Sequence, residues 1–140
     1  MLANMPQYRI GSAASLLGVS DDTVRRWVED GHLAAGTDDA GRKVVDGAEL
    51  ARYAQELAER RQLPDVGGVT SSARNRFTGL VTRVRADGVM AQVDLQCGPF
   101  RVVSLMSAEA VEELGLEPGS LASAVVKATT VIVEAPRENR

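Results

Sequence analysis

The spacing of the apolar residues changes once along this chain of 140 residues. Across residues 8–61 the apolar side chains recur every three or four positions, as on one face of a helix, whereas beyond Phe77 they alternate with polar ones, as in half-buried strands. A segment that contains Pro64, Gly67 and Gly68 separates the two patterns. We therefore predict two small domains of different class. Their predicted bounds are residues 7–62 for the first domain, 63–70 for a linker, 71–136 for the second domain and 137–140 for a tail.

The first domain is predicted to contain three helices and a hairpin. Gly18 is placed to end the first helix, and Ser20 is well suited to cap the second. In the second helix Val24, Trp27 and Val28 share one face, so we interpret Trp27 as a core residue. The predicted elements are a first helix from Gly11 or Ser12 to Leu17, a second from Asp21 to about Asp30, a hairpin or wing within residues 33–45, and a third helix from Gly47 to about Arg61.

The second domain is predicted to be a small barrel. Val89, Ala91, Val93 and Leu95 alternate with polar residues, and four other stretches are comparable runs. Five short strands with one helix in roughly 65 residues are typical of the oligonucleotide/oligosaccharide-binding (OB) barrel. The fold class predicted for the chain is α+β, with an N-terminal three-helix domain and a C-terminal five-stranded OB-like β-barrel. The predicted strands are 77–85, 89–95, 100–106, 121–127 and 130–134, and the helix is 107–114.

Composition narrows the classes of function. No run approaches the length of about 18 apolar residues that a membrane span needs, and residues 1–9 lack the basic and then apolar pattern of a signal peptide. We therefore expect a cytoplasmic location without membrane contact. The single His32 and single Cys97 leave no Cys/His metal site, no disulfide within the chain and no Ser/His/Asp set. We therefore expect that the chain is not an enzyme and that it has neither a cation site nor a covalent cofactor.

The first domain has the pattern of a helix, a tight glycine turn and a second helix. The stretch YRIGSAASLLGVSDDTVRRWVEDGHL, followed by GRKVVDGAELARY, resembles the MerR/excisionase-type winged helix-turn-helix family. The resemblance implies that the second helix enters the major groove of double-stranded DNA. It also implies the DNA-binding residues, which are Ser20, Thr23, Arg25 and Arg26 on this helix and Arg42 and Lys43 on the wing, the last two as phosphate contacts.

The net charge of the first domain argues against DNA binding. Residues 1–66 contain eight Lys and Arg against eleven Asp and Glu, whereas DNA-binding domains usually present a basic surface. The pattern alone also allows Arg25 and Arg26 to form a solvated helix face, with Glu29 one turn away as a partner. The resemblance does not extend to the long coiled-coil helix of full-length MerR regulators. Dimerisation is therefore expected from the second domain.

Two segments of the second domain are rich in hydrogen-bond donors and free of carboxylates. Residues 71–76 hold two arginines, an asparagine and two serines, and residues 127–130 hold a lysine and two threonines. A tetrahedral dianion presents only acceptor oxygens, so its pocket requires backbone N–H groups, hydroxyl donors and fixed positive charge. The two segments therefore predict an oxyanion site. The alternative is that their basic side chains are ordinary surface charges.

The second domain is similar in sequence to the Mop/TOBE family of molybdate and tungstate binders. The similarity runs from SARNRFTGLVTRV through VMAQVDL to VVSLMSAEAVEELGLEPGSLASAVVKATTVIV. It implies that the anion lies between subunits, so that the chain forms a dimer at least, with a hexamer as the larger alternative. Ala110 stands where many members have serine, which removes one hydroxyl. The residues implied to bind the anion are Ser72, Ala73, Arg74, Asn75, Ser107, Lys127, Ala128 and Thr129.

Together the two resemblances imply a molybdate- or tungstate-responsive DNA-binding regulator of transcription. Two alternatives remain open at this point. One is a molybdate storage or buffering protein whose helical domain provides a partner-binding or assembly surface, and the other is an architectural excisionase-like DNA-binding protein whose second domain only oligomerises. The expected partners are double-stranded DNA, molybdate or tungstate, and further copies of the chain.

Overall fold

The computed structural model describes residues 6–137 and divides the chain into two compact units, with the division between Gln62 and Leu63. The predicted linker, residues 63–70, has no regular secondary structure. Residues 138–140 of the predicted tail lie outside the described residues. No helix among residues 6–137 is both long enough and apolar enough to cross a bilayer.

The first unit contains three helices and a three-stranded sheet. In chain order its elements are β1 (Gln7–Arg9), α1 (Ile10–Leu17), α2 (Asp21–Glu29), β2 (Ala35–Thr37), β3 (Lys43–Asp46) and α3 (Gly47–Arg60). The central strand β3 pairs antiparallel with β1 on one side and with β2 on the other. The three predicted helices and the hairpin are present, and β1 is a strand that the sequence analysis did not predict.

Two local signals fix the turn between α1 and α2. Gly18 adopts a left-handed conformation, with φ 70° and ψ 34°, in which a residue with a Cβ is strained. Ser20 then caps α2 by accepting a hydrogen bond from the Thr23 N–H at 3.2 Å. Asp21 and Asp22 occupy the first turn, where the helix dipole favours negative charge. These signals set the direction in which α2 leaves α1.

The core of the first unit is formed by side chains from all three helices and from the sheet. Tyr53 is 3% exposed, and its ring lies edge-on to that of Trp27, with 5.0 Å between the ring centroids. Trp27 therefore packs against the core, as predicted from its helical spacing. Burial of a large apolar side chain contributes about 1.5–3 kcal/mol to stability. The buried members of this core are Ile10, Ala13, Ala14, Val24, Leu33, Val45, Leu50 and Tyr53.

The second unit is a four-stranded antiparallel sheet with one helix. Its elements are β4 (Asn75–Ala86), β5 (Met90–Cys97), β6 (Phe100–Ser107), α4 (Ala108–Leu114) and β7 (Leu121–Val126), followed by a 3-10 turn at Ala128–Thr130. The strands lie in the order β6-β5-β4-β7, so β6 and β7 are the two edges of the sheet. The chain therefore combines helices and sheet, as predicted.

The 12-residue strand β4 pairs with two different strands along its length. Residues 75–80 pair with β7, and residues 80–86 pair with β5. Gly79 lies near the point where the pairing changes, and an added Cβ there would press on the Gln96 carbonyl oxygen and lie 2.8 Å from Cys97 Cα. Glycine is therefore required at this close approach between the strands.

The core of the second unit lies between the sheet and α4. Its buried members are Val81, Ala91, Val93, Leu95, Cys97 and Val111. Burial raises the pKa of the Cys97 thiol, so this side chain stays protonated and acts as a small apolar group. The helix contributes Val111 to the core, and it ends at Gly115, which adopts a left-handed conformation with φ 65°.

The fifth strand, predicted over residues 130–134, is not formed in the described chain. After β7 the backbone makes the 3-10 turn, in which the Thr130 N–H donates to the Lys127 carbonyl at 3.0 Å, and the residues that follow have no strand neighbour. Alternation indicates which side chains share a face, but a strand is formed only where a second strand supplies hydrogen bonds. As a result, Ile132 and Val133 are 87% and 86% exposed.

Candidate functional sites

The first candidate site is a cavity of about 670 Å³ in the first unit. It lies where the junction of β1 and α1, the start of α2 and the beginning of β3 approach one another. Its lining is predominantly basic, with four basic side chains and one acidic side chain. The lining residues are Arg9, Ile10, Gly11, Ser12, Asp21, Arg25, Arg42 and Lys43.

The first turns of α2 carry polar side chains that are partly engaged by the helix itself. The Ser20 and Thr23 hydroxyl oxygens are 3.0 Å apart, and the Ser20 oxygen also accepts the capping hydrogen bond. The Arg25 guanidinium lies 3.3 Å from the Asp22 carboxylate. Arg25 thus pairs with Asp22 and not with Glu29, and it remains more than half exposed.

The wing between β2 and β3 is held by Asp38. Its carboxylate accepts hydrogen bonds from the backbone N–H groups of Ala40 and Arg42, each at 2.9 Å, and lies 3.4 Å from the Arg42 guanidinium. The Arg42 N–H is the main reason that the pKa of Asp38 is lowered, and the Ala40 N–H and the charge of Arg42 add to it. Asp38 therefore stays ionised at neutral pH and gives the wing turn a defined shape.

The second candidate site lies at one end of the β4–β7 pair. Asn75 begins β4 and is in register with Val126, the last residue of β7, whose carbonyl accepts a hydrogen bond from Asn75 Nδ2 at 3.2 Å. The segment before β4 and the segment after β7 therefore lie at the same end of the sheet. The predicted anion-binding residues that this register brings to one end are Ser72, Ala73, Arg74, Asn75, Lys127, Ala128 and Thr129.

This end of the sheet carries three exposed basic side chains, namely Arg74, Arg76 and Lys127. Arg74 and Lys127 take part in no salt bridge within the described part of the chain, and the side chains of Ser72 and Thr129 are exposed beside them in sequence. Such a set offers charge and hydrogen-bond donors to an anion. Among residues 6–137, no group of three or more His, Cys, Asp or Glu is arranged to hold a metal ion.

Comparison with known proteins assigns each unit to a family. Residues 8–58 match the family of the helix-turn-helix domain, and residues 71–133 match the family of the TOBE domain. Molybdenum-pterin-binding protein 2 of Clostridium pasteurianum is 40% identical to this chain over 63 residues, which are 44% of this chain and 93% of that protein. The chain belongs to the TOBE-domain family.

Two further proteins are similar to this member of the TOBE family. A probable molybdenum-pterin-binding protein of Haemophilus influenzae is 43% identical over 63 residues, which are 44% of this chain and 91% of that protein. The molybdate-bound crystal structure of the cytoplasmic molybdate-binding protein ModG is 44% identical, with a TM-score of 0.48. That match covers 51% of this chain and 52% of the ModG chain, so this chain spans about half of ModG.

The TOBE domain places one predicted residue apart from the others. Ser107 ends β6 and is in register with Met90 at the start of β5, beside the point where β4 ends at Ala86. Arg74 precedes the opposite end of β4. Within one chain the Ser107 hydroxyl therefore lies far from Arg74, and it caps α4 by accepting a hydrogen bond from the Ala110 N–H at 3.1 Å.

The TOBE domain also contains a buried carboxylate that the sequence analysis did not single out. Asp94 is 6% exposed and accepts hydrogen bonds from Arg101 Nε and Nη2 at 2.9 and 2.7 Å and from Gln92 Nε2 at 3.0 Å. The hydrogen bond from Gln92, followed by those from Arg101, lowers the pKa of Asp94. Both carboxylate oxygens are engaged, so Asp94 joins β5 to β6 and is a structural residue.

The helix-turn-helix domain places three of the six predicted DNA-binding residues on its cavity, namely Arg25, Arg42 and Lys43. Ser20, Thr23 and Arg26 do not line it. The fourth basic lining residue, Arg9, was missed because it precedes the first helix and belongs to β1, whose pairing with β3 joins positions far apart in sequence. The signal in the sequence that could have identified Arg9 is a basic residue directly before the first helix.

Proposed function

We propose that this chain is a DNA-binding regulator of transcription that responds to molybdate or tungstate. The observation that carries the proposal is the presence of a helix-turn-helix domain and a TOBE domain in one chain. The relatives of the second domain are named for binding molybdenum-pterin. An anion-binding domain attached to a DNA-binding domain supplies a means of coupling one binding event to the other. Because the chain must reach DNA, the cytoplasm is its proposed location.

The proposed anion site is the end of the β4–β7 pair. Arg74 and Lys127 provide positive charge there, and hydroxyl and backbone N–H groups of the flanking segments provide neutral donors. A tetrahedral oxyanion accepts hydrogen bonds through every oxygen, so it is matched by donors without carboxylates. Molybdate and tungstate are nearly equal in size and charge, and the proposal includes both. The proposed contacts are Ser72, Ala73, Arg74, Asn75, Lys127, Ala128 and Thr129, together with Ser107.

The TOBE domain is proposed to assemble with further copies of the chain. Its sheet is open at β6 and β7, and a largely apolar cavity of about 680 Å³, lined by Val93, Leu95 and Leu121 among others, lies on the sheet. The apolar residues 131–133 are exposed and belong to no strand. An open sheet edge and an exposed apolar segment complement each other between copies. A dimer is the minimum assembly, and a hexamer is the larger alternative.

Assembly also accounts for Ser107 as a contact. This residue lies at the opposite end of the sheet from Arg74, so one chain cannot bring both to one anion. A second copy whose β6 end lies against the β4–β7 end of the first supplies the hydroxyl. Anion binding then favours one arrangement of the copies, and with it one spacing of their DNA-binding domains. A modest preference suffices, since about 1.4 kcal/mol changes an equilibrium tenfold.

The proposal is tested by calorimetric titration of the full chain with molybdate, with sulfate as the control dianion, and by DNA binding with and without molybdate. We expect the titration with molybdate to release or absorb heat and the titration with sulfate to give none. We also expect the affinity of the chain for DNA to change when molybdate is present. Arg74→Ala should abolish the heat, whereas Arg60→Ala, in the last turn of α3 in the other unit, should not. Folded protein that gives no heat with molybdate, or that binds DNA equally with and without it, would contradict the proposal.

The two alternative functions give different results in the same experiments. The molybdenum-pterin-binding protein of Clostridium pasteurianum is covered over 93% of its length by the match to this chain, so binding proteins built from this domain alone exist. A storage or buffering protein therefore predicts molybdate heat without any effect on DNA binding. An architectural DNA-binding protein predicts DNA bending that ignores molybdate.

A further inference from the structure

The four basic side chains that line the cavity of the helix-turn-helix domain differ in how far they are already engaged. Arg25 and Arg42 each have a carboxylate oxygen within 3.4 Å. Arg9 and Lys43, by contrast, form no salt bridge with any residue in the range 6–137. The uncompensated positive charge of the cavity therefore comes from these two side chains.

Arg9 and Lys43 reach the cavity from neighbouring strands. Arg9 is the last residue of β1 and is in register with Val44, which directly follows Lys43 on β3. Successive residues of a strand face opposite sides of the sheet, so this register alone does not bring the two side chains together; the observation that does so is that both residues line the one cavity. Asp21, the acidic lining residue, belongs to α2 and not to either strand. The two strands thus present a basic pair to the cavity.

The position of Arg9 also brings it near the wing. Its positive charge contributes, after the hydrogen bonds from Arg42 and Ala40 and the charge of Arg42, to the lowered pKa of Asp38. The Arg9 guanidinium nevertheless donates no hydrogen bond to any group in the described chain. It is therefore close to the wing turn while all of its donors remain available.

We propose that Arg9 and Lys43 together bind one phosphate of the DNA backbone in this cavity. The inference rests on the proposed DNA-binding function, and it adds Arg9 to the DNA-binding residues implied by the sequence. A phosphodiester presents acceptor oxygens and a negative charge, so a guanidinium fork and an ammonium group complement it. Guanine would also offer these donors two acceptors in the major groove, but Arg9 and Lys43 lie on β1 and β3 and not on α2, the helix expected to enter that groove, so the backbone is the better partner.

This assignment divides the DNA-binding residues into two groups. The strand pair anchors the backbone, which positions the domain on the duplex but carries no sequence information. Thr23 and Arg26 of α2 lie outside the cavity and stay available to face the bases. Asp21, in the acidic first turn of α2, also lines this cavity, and its single negative charge is outnumbered by the positive charges of Arg9 and Lys43.

The test uses the full chain and a fluorescently labelled duplex of mixed sequence, with affinity measured by anisotropy over a series of salt concentrations. We expect Arg9→Ala to weaken binding several-fold and to reduce the slope of log affinity against log salt by about 0.9, the value for one phosphate contact. Lys43→Ala should weaken binding in the same way, and Arg9→Lys should keep most of the slope because it keeps the charge. Arg60→Ala, in the last turn of α3 and outside the cavity, is the matched control and should change neither quantity.

The outcomes separate the inference from the function on which it rests. Wild-type protein that fails to bind the duplex, with and without molybdate, overturns both. If the wild type binds the duplex and Arg9→Ala leaves the salt slope unchanged, the phosphate contact alone is overturned. An equal loss of affinity in Arg60→Ala also overturns it, because the loss would then follow from the net charge of the protein. The last measurement is calorimetric titration with inorganic phosphate. If Arg9→Ala removes the heat of phosphate binding but leaves the salt slope of DNA binding unchanged, the cavity binds a free anion and not the DNA backbone.

Discussion

The two domains differ in how completely they cover their apolar side chains. Among residues 6–62, Leu16 is the one exposed large apolar side chain, and Trp27 and Tyr53 close the core around which the helices pack. The TOBE domain, in contrast, leaves apolar side chains exposed on every strand and beyond the last one. They are Phe77, Leu80, Val89, Met90, Phe100, Val103, Leu105, Leu114, Leu121, Val125, Val131, Ile132 and Val133.

This difference supports the proposal that the TOBE domain, and not the helix-turn-helix domain, associates with further copies of the chain. A monomeric domain rarely exposes so much contiguous apolar surface, and surfaces of this kind mark sites of association. A stable dimer interface buries about 800 Å² on each partner. On this proposal, we expect the stability of the first domain to depend on its own core and that of the second to depend also on other copies.

The largest effect is expected from Gly79→Ala. The added Cβ meets the backbone of β5, so the strands must separate at a cost above about 4 kcal/mol. In scanning calorimetry the unfolding transition of the TOBE domain should disappear while that of the helix-turn-helix domain remains. The control is Gly68→Ala in the linker, where no other atom lies within 4 Å of the new Cβ. Loss of both transitions would show that the two domains do not fold independently.

Leu33→Ala should act on the other domain. Leu33 is 1% exposed, and its truncation leaves a cavity that costs about 2–5 kcal/mol. Urea unfolding should show a destabilised first transition, and DNA binding should weaken while the molybdate heat is retained. Leu16→Ala, at a side chain 62% exposed, should change the free energy of unfolding by less than about 0.5 kcal/mol. Equal effects of the two substitutions would refute the distinction between core and surface.

The double substitution of Ile132→Glu and Val133→Glu tests whether the exposed segment serves assembly. Both side chains are almost fully exposed in the chain, so the fold of a single copy should lose less than about 0.5 kcal/mol. We expect the mass in analytical ultracentrifugation to fall to that of one chain, because charged groups cannot enter an apolar interface between copies. Leu16→Glu should leave the mass unchanged. An assembly that survives the double substitution would remove residues 131–133 from the interface.

The smallest effect is expected from Asp94→Asn. Because the pKa of Asp94 is lowered in the fold, its carboxylate stabilises the protein above the unfolded pKa of about 3.9, and this contribution is lost as the pH falls through the folded pKa. The Tm of the variant should lie below that of the wild type at neutral pH, and the gap should close in acid. Arg101→Gln should show the same convergence. A gap that does not depend on pH would point to packing and not to charge.

The sequence predicted the helices closely because their ends are set by nearby residues. Gly18 and Ser20 act on the turn that contains them, so the first two helices began and ended within about two residues of the predicted positions, which is the usual precision of helix bounds. Arg25, Arg42 and Lys43 were named from the family resemblance and not from such local signals, and these three line one cavity.

The features that the sequence did not reveal depend on pairing between distant segments. The strand β1 has only three residues and is recognisable as a strand through its pairing with β3. Residues 131–133 are apolar, as the predicted strand 130–134 required, but they have no partner strand in the described chain. The strand order likewise decides that Ser107 and Arg74 lie at opposite ends of the sheet, which no local pattern encodes.

The hydrogen bonds of Asp38 bear on how long a complex with DNA lasts. Because this carboxylate already fixes the backbone of the wing at Ala40 and Arg42, the wing needs little ordering when a duplex arrives. Ordering one flexible side chain at an interface costs about 0.5–1.5 kcal/mol, and a wing that is shaped in advance avoids part of that cost. Preorganisation of this kind acts mainly on dissociation, since the rate of leaving varies more than the rate of encounter among variants of one interface. On the proposed DNA-binding function, one carboxylate within the wing would thereby help to set the residence time of the protein on its site.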